Sequence, residues 1–209
     1  CIEQRKNAIE FELTANEESL KIYPFHFSLR IRYELKDNGV KVIYTVLNPG
    51  GKELFFSIGA HPGFSCKRIA GETLNDFYLE FEETKELIAE KLKDGLLSGN
   101  SYAIPLAGNK LPLNVKLFDN DALIFKNGQI NKIKLCSLKS KKQIILNCNN
   151  WPYFGIWTKK GSDAFVCLEP WFGITDSVNG PVEIFQKEGI QSLKPYCSFV
   201  SYFSIELEG

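Results

Sequence analysis

The chain has 209 residues, in which 25 Lys and Arg are balanced by 25 Asp and Glu. This balance gives no charge excess that would attract nucleic acid or an anionic membrane surface. No apolar run approaches the roughly 18 residues that a membrane helix needs. The length suits one medium-sized domain with its own core, so we expect a single domain over residues 1–209.

The cysteines indicate a reduced, metal-free protein. They lie far apart, with no Cys-x-x-Cys pair, and the chain has only two His. Metal sites need clustered Cys and His ligands, so we expect no metal and no cofactor. With no signal peptide in view, we expect buried free thiols in a cytoplasmic protein. The six residues are Cys1, Cys66, Cys136, Cys148, Cys167 and Cys197.

The first third of the chain predicts an antiparallel sheet. Apolar residues alternate with polar ones over 9–13, 25–35 and 40–46. The last two segments are joined through Asp37-Asn38-Gly39, a hairpin turn sequence. Alternation of this kind is typical of strands that bury one face.

The remainder predicts further strands. The segment 84–93 contains good helix formers, yet it ends in a turn sequence and has a poor helical face. We expect 98–120, with its prolines, to be a long ordered loop. The later apolar runs have the spacing of an all-β sandwich. They are 122–125, 133–138, 143–148, 153–157, 164–168, 182–185 and 198–207.

Two segments place a titratable side chain at the end of an apolar run, directly before Pro. One is 57–64, which contains His61, and the other is 167–177, which contains Glu169. Both side chain types exchange protons near neutral pH when their surroundings tune them. Nearby aromatics offer flat apolar surface that suits a sugar ring. The alternatives are a hydrogen-bonded structural His and an exposed loop Glu.

These two segments resemble the signature stretches of the aldose 1-epimerase (mutarotase) family, in its bacterial branch associated with lactose and galactose utilisation. The resemblance covers nearly all of the chain and corresponds to the C-terminal two thirds of a full member. It implies a large antiparallel two-sheet sandwich that lacks its N-terminal part, and it favours strands over 84–93. It also implies self-association, or a partner chain that supplies the missing segment.

The resemblance further implies a reaction. Family members interconvert the α and β anomers of a free aldohexose by acid–base ring opening, without a cofactor. Glu169 matches the general base and His61 the general acid. We expect the two to face one pocket, with their reacting atoms on either side of a space about one sugar ring wide.

The resemblance also suggests residues that bind the sugar. Asp121 matches an aspartate that hydrogen-bonds sugar hydroxyls, although Asp119 is a neighbouring competitor and a turn-forming Asp is the alternative. Three aromatics are candidate walls for the ring, with ordinary core packing as the alternative for each. They are Phe64, Trp157 and Trp171.

Two other functions remain open at this point. A hexose-6-phosphate 1-epimerase would need cations that grip the phosphate, and Lys67 and Arg68 follow the His61 segment. A carbohydrate-binding protein without turnover is the other alternative. In each case the partner is a small sugar rather than nucleic acid or membrane.

Overall fold

The computed structural model describes residues 1–82, 84, 86–180 and 183–209. In this part of the chain nearly all regular structure is β, and no helix is long and apolar enough to cross a membrane. The strands are β1 (Glu3–Arg5), β2 (Ala8–Thr14), β3 (Ser28–Lys36), β4 (Gly39–Leu47), β5 (Leu54–Phe56), β6 (Ile58–Gly59), β7 (Gly63–Ser65), β8 (Phe77–Phe81), β9 (Glu86–Lys93), β10 (Leu96–Pro105), β11 (Lys110–Pro112), β12 (Leu123–Phe125), β13 (Lys132–Ser137), β14 (Gln143–Asn147), β15 (Tyr153–Trp157), β16 (Phe165–Phe172), β17 (Gln191–Leu193) and β18 (Ser198–Glu208). The helical elements are α1 (Glu17–Ile22) and 3₁₀ turns at Leu74–Asp76, Val115–Phe118 and Ile184–Gln186.

The strands form two large antiparallel sheets. The first has the order β1-β2-β3-β4-β18-β14-β13-β8-β11. The second has the order β10-β9-β12-β15-β16-β6, with β7 also paired to β16. Buried side chains from both sheets form one core, for example Leu79 and Leu135 from the first and Phe125 and Ile156 from the second. This is the two-sheet antiparallel sandwich that the sequence predicts.

The register of the second sheet sorts its side chains onto two faces. Phe154 and Leu168 point into the core, and both are almost fully buried. Their neighbours Gly155 and Glu169 pair with each other and lie on the opposite face, because successive strand residues alternate sides. Glu169 is therefore held on the face of the second sheet that is turned away from the first sheet.

The structure confirms some predicted elements and corrects others. The segment 84–93 is a strand over its described residues from 86 onward, while residue 85 lies outside them. The predicted loop 98–120 is wrong, because β10 and β11 occupy much of it. A register shift between Leu97 and Ser101 breaks the alternation there and hides the strand.

Two further segments differ from expectation. The predicted strand 182–185 includes residue 182, which lies outside the described residues, and its later part is the 3₁₀ turn Ile184–Gln186. Helix α1 is not predicted by apolar periodicity, since it buries no residue. It begins instead with a capping box, in which Asn16 and Ser19 each accept from the other's backbone N–H.

Candidate active site

The strand pairings bring His61 and Glu169 together. His61 lies in the short connection between β6 and β7, and both of these strands pair with β16, which carries Glu169. On one side of His61 the Ala60 N–H donates to the Pro170 carbonyl at 3.0 Å. On the other side the Leu168 N–H donates to the Pro62 carbonyl at 3.1 Å. Backbone hydrogen bonds therefore fix the two side chains next to each other.

The side chains themselves are in contact. His61 Nδ1 lies 2.9 Å from Glu169 Oε2. The sequence predicts a space one sugar ring wide between the reacting atoms, and the structure shows a direct hydrogen bond instead. Because the flanking backbone bonds bring Cα atoms of adjacent strands close together, little room is left between the side chains.

Glu169 and His61 differ in solvent exposure, and this difference determines the acid–base role that each side chain can have. The Glu169 side chain is 5% exposed and the His61 side chain 70%. Burial raises the pKa of the Glu169 carboxyl, and the neighbouring His61 imidazole offsets part of that rise. A carboxylate with a raised pKa is a stronger base than an exposed one, and the exposed imidazole can exchange its proton with solvent or ligand.

A cysteine that the sequence analysis did not select lies beside the carboxylate. Cys167 is two residues before Glu169 on the same strand, so both side chains lie on the same face. Burial, followed by the influence of Glu169, raises the pKa of the Cys167 thiol to about 11. The thiol is therefore neutral at physiological pH. Its position beside Glu169 could have been predicted, because residues two apart in a strand point to the same face.

Trp171 forms a flat apolar floor beside the pair. Its indole lies over two glycines of the adjacent strands: a Cβ on Gly59 would lie 2.5 Å from the indole, and a Cβ on Gly155 2.4 Å from it. The ring centroids of His61 and Trp171 are 6.0 Å apart. The indole can lie this close to the sheet because neither glycine has a side chain.

A cavity of about 280 Å³ opens above this floor. This volume is at the lower end for small-molecule sites and suits a ligand about the size of one sugar ring. Ser57 and Thr175 are the hydroxyl-bearing residues of its lining, and the Thr175 hydroxyl donates to the Gly95 carbonyl at 2.9 Å. Its lining residues are Ser57, Ile58, Gly59, His61, Ile124, Trp171, Gly173, Ile174 and Thr175.

The expectation that both members of the pair face one pocket is met by His61, whereas Glu169 is not among the lining residues. The predicted sugar-binding residues other than Trp171 also lie outside this lining. Trp157 is on the same face of the second sheet, but it pairs with Cys167 and packs against Phe165. Phe64 pairs with Val166, which directs it into the core, where it is 8% exposed. The structure therefore places Phe64 between the sheets rather than against the cavity.

Asp121 lies in a separate recess that also includes Tyr102 and Lys116. Its Oδ1 accepts a hydrogen bond from the Ala122 N–H at 2.7 Å. The recess and the cavity share no lining residue, although Ala122 and Leu123 of the recess directly precede Ile124 of the cavity wall.

The cations near the His61 segment are engaged elsewhere. Lys67 Nζ forms an ion pair with Asp163 at 3.2 Å. The Arg68 guanidinium lies over the ring of Phe77, 4.9 Å from its centroid, and Arg68 Nε donates to the Ser65 carbonyl. Neither side chain lines the cavity. Among the described residues, no group of three or more His, Cys, Asp or Glu is arranged to hold a metal ion.

The antiparallel two-sheet sandwich is the fold of galactose mutarotase-like proteins. A family model described as Aldose 1-epimerase matches residues 1–196. The chain belongs to the aldose 1-epimerase family.

Similar proteins agree with this assignment. The chain is 31% identical over 180 residues to the chromosomal Protein LacX of Lactococcus lactis subsp. lactis, and the match covers 84% of this chain. A plasmid Protein LacX from the same organism matches equally. The chain spans 60% of the length of these curated relatives.

Two solved structures are similar to this chain over nearly its whole length. A galactose mutarotase related enzyme from Lactobacillus acidophilus is 33% identical with a TM-score of 0.93, and the match covers 100% of this chain and 70% of that one. A galactose mutarotase-like protein from Lactobacillus casei is 30% identical with a TM-score of 0.88, covering 98% of this chain and 71% of that one.

Proposed function

We propose that this protein is an aldose 1-epimerase that interconverts the α and β anomers of a free aldohexose such as galactose or glucose. The observation that carries the proposal is the contact of His61 and Glu169 at 2.9 Å beside the Trp171 floor. The family assignment and the mutarotase names of two similar structures support it.

The reaction follows from the roles of the two side chains. The Glu169 carboxylate removes the proton of the anomeric hydroxyl while the His61 imidazolium protonates the ring oxygen. The bond from C1 to the ring oxygen breaks, which gives an open-chain aldehyde. Rotation about C1–C2 presents the other face of the carbonyl. The hydroxyl then closes on it as His61 takes back its proton and Glu169 returns its own.

The burial of Glu169 adds one requirement. Its side chain is 5% exposed and is in contact with His61, whose side chain is 70% exposed. For a sugar hydroxyl to take the place of His61 Nδ1 beside Glu169 Oε2, the imidazole has to move aside. The exposed imidazole has room for this movement, and it would then face the ring oxygen of the bound sugar.

We favour free sugars over sugar phosphates as substrates. A phosphate is bound best by two neighbouring cationic side chains that are not held by other partners. Lys67 is paired with Asp163, and Arg68 lies over Phe77. We also propose a cytoplasmic location, which is supported by the six cysteines of the chain being free thiols, four of them buried.

Polarimetry of freshly dissolved α-D-galactose and α-D-glucose tests the proposal. We expect the protein to accelerate the approach to anomeric equilibrium, and we expect His61→Asn to lose the acceleration. Glu80→Gln, which changes a carboxylate of the other sheet, serves as the matched control. A folded protein that binds these sugars but leaves the spontaneous rate unchanged would refute the enzyme and favour a carbohydrate-binding role.

A further inference from the structure

The Cys167 thiol lies beside the Glu169 carboxyl on the face of the second sheet that is turned away from the first sheet. The two residues are two apart on β16, so their side chains point to the same side of the strand. Both residues are buried. The thiol is close enough to the carboxyl to hydrogen-bond it. A buried carboxyl therefore has a hydrogen-bond donor on its own strand.

The strands on either side of β16 supply no competing donor at these positions. On β7, Gly63 pairs with Cys167, and a Cβ on Gly63 would lie 3.5 Å from the Cys167 Sγ. On β15, Gly155 pairs with Glu169, and a Cβ on Gly155 would lie 3.3 Å from Glu169 Oε2. Both neighbours are glycines, so neither has a side chain that could donate to the carboxyl.

Cys167 differs from the other buried cysteines in its acceptor. Each of the others donates to a backbone carbonyl or to an amide oxygen, and these are Cys66, Cys136 and Cys148. The acceptor beside Cys167 is the carboxyl group of the proposed general base. The position of this thiol is therefore relevant to the chemistry of the site as well as to packing.

The thiol keeps its proton when Glu169 is ionised. Burial, followed by the influence of Glu169, raises the pKa of the Cys167 thiol to about 11. In the described part of the chain, His61 is the other side chain that hydrogen-bonds the Glu169 carboxyl. A donor stabilises the ionised form of a carboxyl group. His61 and Cys167 therefore both oppose the effect of burial on Glu169.

These two donors differ in what happens to them during the proposed reaction. The His61 side chain is 70% exposed, and it has to move aside when a sugar hydroxyl takes its place. The Cys167 thiol is buried on the strand that carries Glu169. A buried carboxylate that loses its donors is destabilised. Cys167 is the donor that stays in place when the imidazole moves.

We propose that Cys167 is a positioning residue, which holds the Glu169 carboxylate ionised and in a fixed orientation while the substrate displaces His61. A thiol is a weak donor, so it orients the carboxylate without removing much of its basicity. A hydroxyl at the same position would be a stronger donor and would make Glu169 a weaker base. The catalytic importance of this contact rests on the proposed function, but the contact itself can be measured without any activity.

The first test is a titration of Glu169, followed by carbon NMR of its carboxyl group and assigned by the loss of the signal in Glu169→Gln. We expect the midpoint to be higher in Cys167→Ala and lower in Cys167→Ser than in the unmodified protein, each by about 0.5 pH unit or more. Alanine removes the donor, whereas serine replaces it with a stronger one. Loss of packing alone gives no reason for shifts of opposite sign.

The second test measures the pH dependence of kcat/KM by polarimetry. The acid limb of the profile should move with the NMR midpoint, upward in Cys167→Ala and downward in Cys167→Ser. Cys148→Ala is the matched control, because it removes a buried thiol that donates to the Ile130 carbonyl instead. We expect this control to be less stable than the unmodified protein and to leave both the Glu169 midpoint and the acid limb unchanged.

Two results would overturn the proposal. One is a Glu169 midpoint that is the same in both Cys167 variants and in the unmodified protein, and the other is a shift of the same sign in both variants. If Cys167→Ala does not fold, the nearly isosteric Cys167→Ser decides alone, since an unshifted midpoint there refutes the contact. Opposite shifts in a protein that does not accelerate anomer exchange would leave the contact intact and refute the epimerase.

Discussion

The indole of Trp171 lies on the backbone of Gly155, where an added Cβ would be 2.4 Å from two indole carbons. The same Cβ would lie 3.3 Å from Glu169 Oε2. Gly155 also pairs in register with Glu169 across β15 and β16. Gly155 is therefore close to both the indole that forms the floor of the cavity and the Glu169 carboxylate.

Gly155→Ala should lower kcat/KM by about 10- to 100-fold and destabilise the fold by about 1–3 kcal/mol, because the indole must move away from the sheet. Polarimetry gives the first quantity and urea denaturation the second. Gly63→Ala is the control, since its Cβ would be at an ordinary 3.5 Å from Cys167 Sγ. Equal effects of the two substitutions would contradict the importance of the Trp171 position.

Glu169→Gln should lower kcat by about 10²- to 10⁴-fold, because the amide has nearly the same shape but cannot accept the proton. KM should change little if the sugar is held by other groups. Polarimetric progress curves over a range of sugar concentrations separate the two constants. Turnover equal to that of the unmodified protein would remove Glu169 from the role of base.

The stability of the protein should fall as pH rises through the titration of Glu169. Burial raises the pKa of this carboxyl in the folded state, so the folded state binds more protons than the unfolded state between the two pKa values. The free energy of unfolding therefore decreases with pH in that window, which begins at the ordinary pKa of Glu, about 4.3.

Glu169→Gln removes this titration. We expect its free energy of unfolding, relative to the unmodified protein, to increase from pH 4 towards neutral pH. Urea denaturation at a series of pH values measures the difference. A difference that stays constant over this range would mean that the carboxyl titrates normally in the folded state.

Ser137→Ala should destabilise the fold by about 1–3 kcal/mol. The Glu72 carboxylate is 2% exposed, and it accepts hydrogen bonds from the Ser137 hydroxyl and from the Arg68 and Ile69 N–H groups. Loss of the hydroxyl leaves a buried carboxylate oxygen without this donor. Ser198→Ala, at an exposed position, is the control. Denaturation midpoints that do not differ between the two variants would argue against a structural role of Glu72.

The sandwich was predictable where side chain alternation is strict. Val42, Tyr44 and Val46 are all buried on one face of β4, and the sequence shows this directly. Propensity was a poorer guide over 86–93, because pairing with β10 and β12 holds good helix formers in a strand. The hairpin with β10 follows from the turn sequence after β9, whereas the pairing with β12 joins distant parts of the chain and has no local signal.

The site was predictable only in part. The family resemblance of the segments around His61 and Glu169 predicted that these side chains lie near each other, and the structure places them 2.9 Å apart. By contrast, the closeness of Gly155 to Trp171 depends on the register between β15 and β16. Asp121 lines a recess that shares no residue with the cavity, which its place before an apolar run does not predict. The register between strands and the division between recess and cavity arise only in the folded molecule, and they cannot be read from a single sequence.

The two backbone hydrogen bonds around His61 limit the sequence changes that this site can tolerate. They attach Ala60 to Pro170 and Pro62 to Leu168, so the connection between β6 and β7 has a fixed number of residues. A deletion or insertion of one residue there would turn the imidazole towards the other side of the sheet. Replacement of either side chain, however, would leave the backbone in place. The site can therefore accept different chemical groups at 61 and 169 far more readily than a different chain length between its strands.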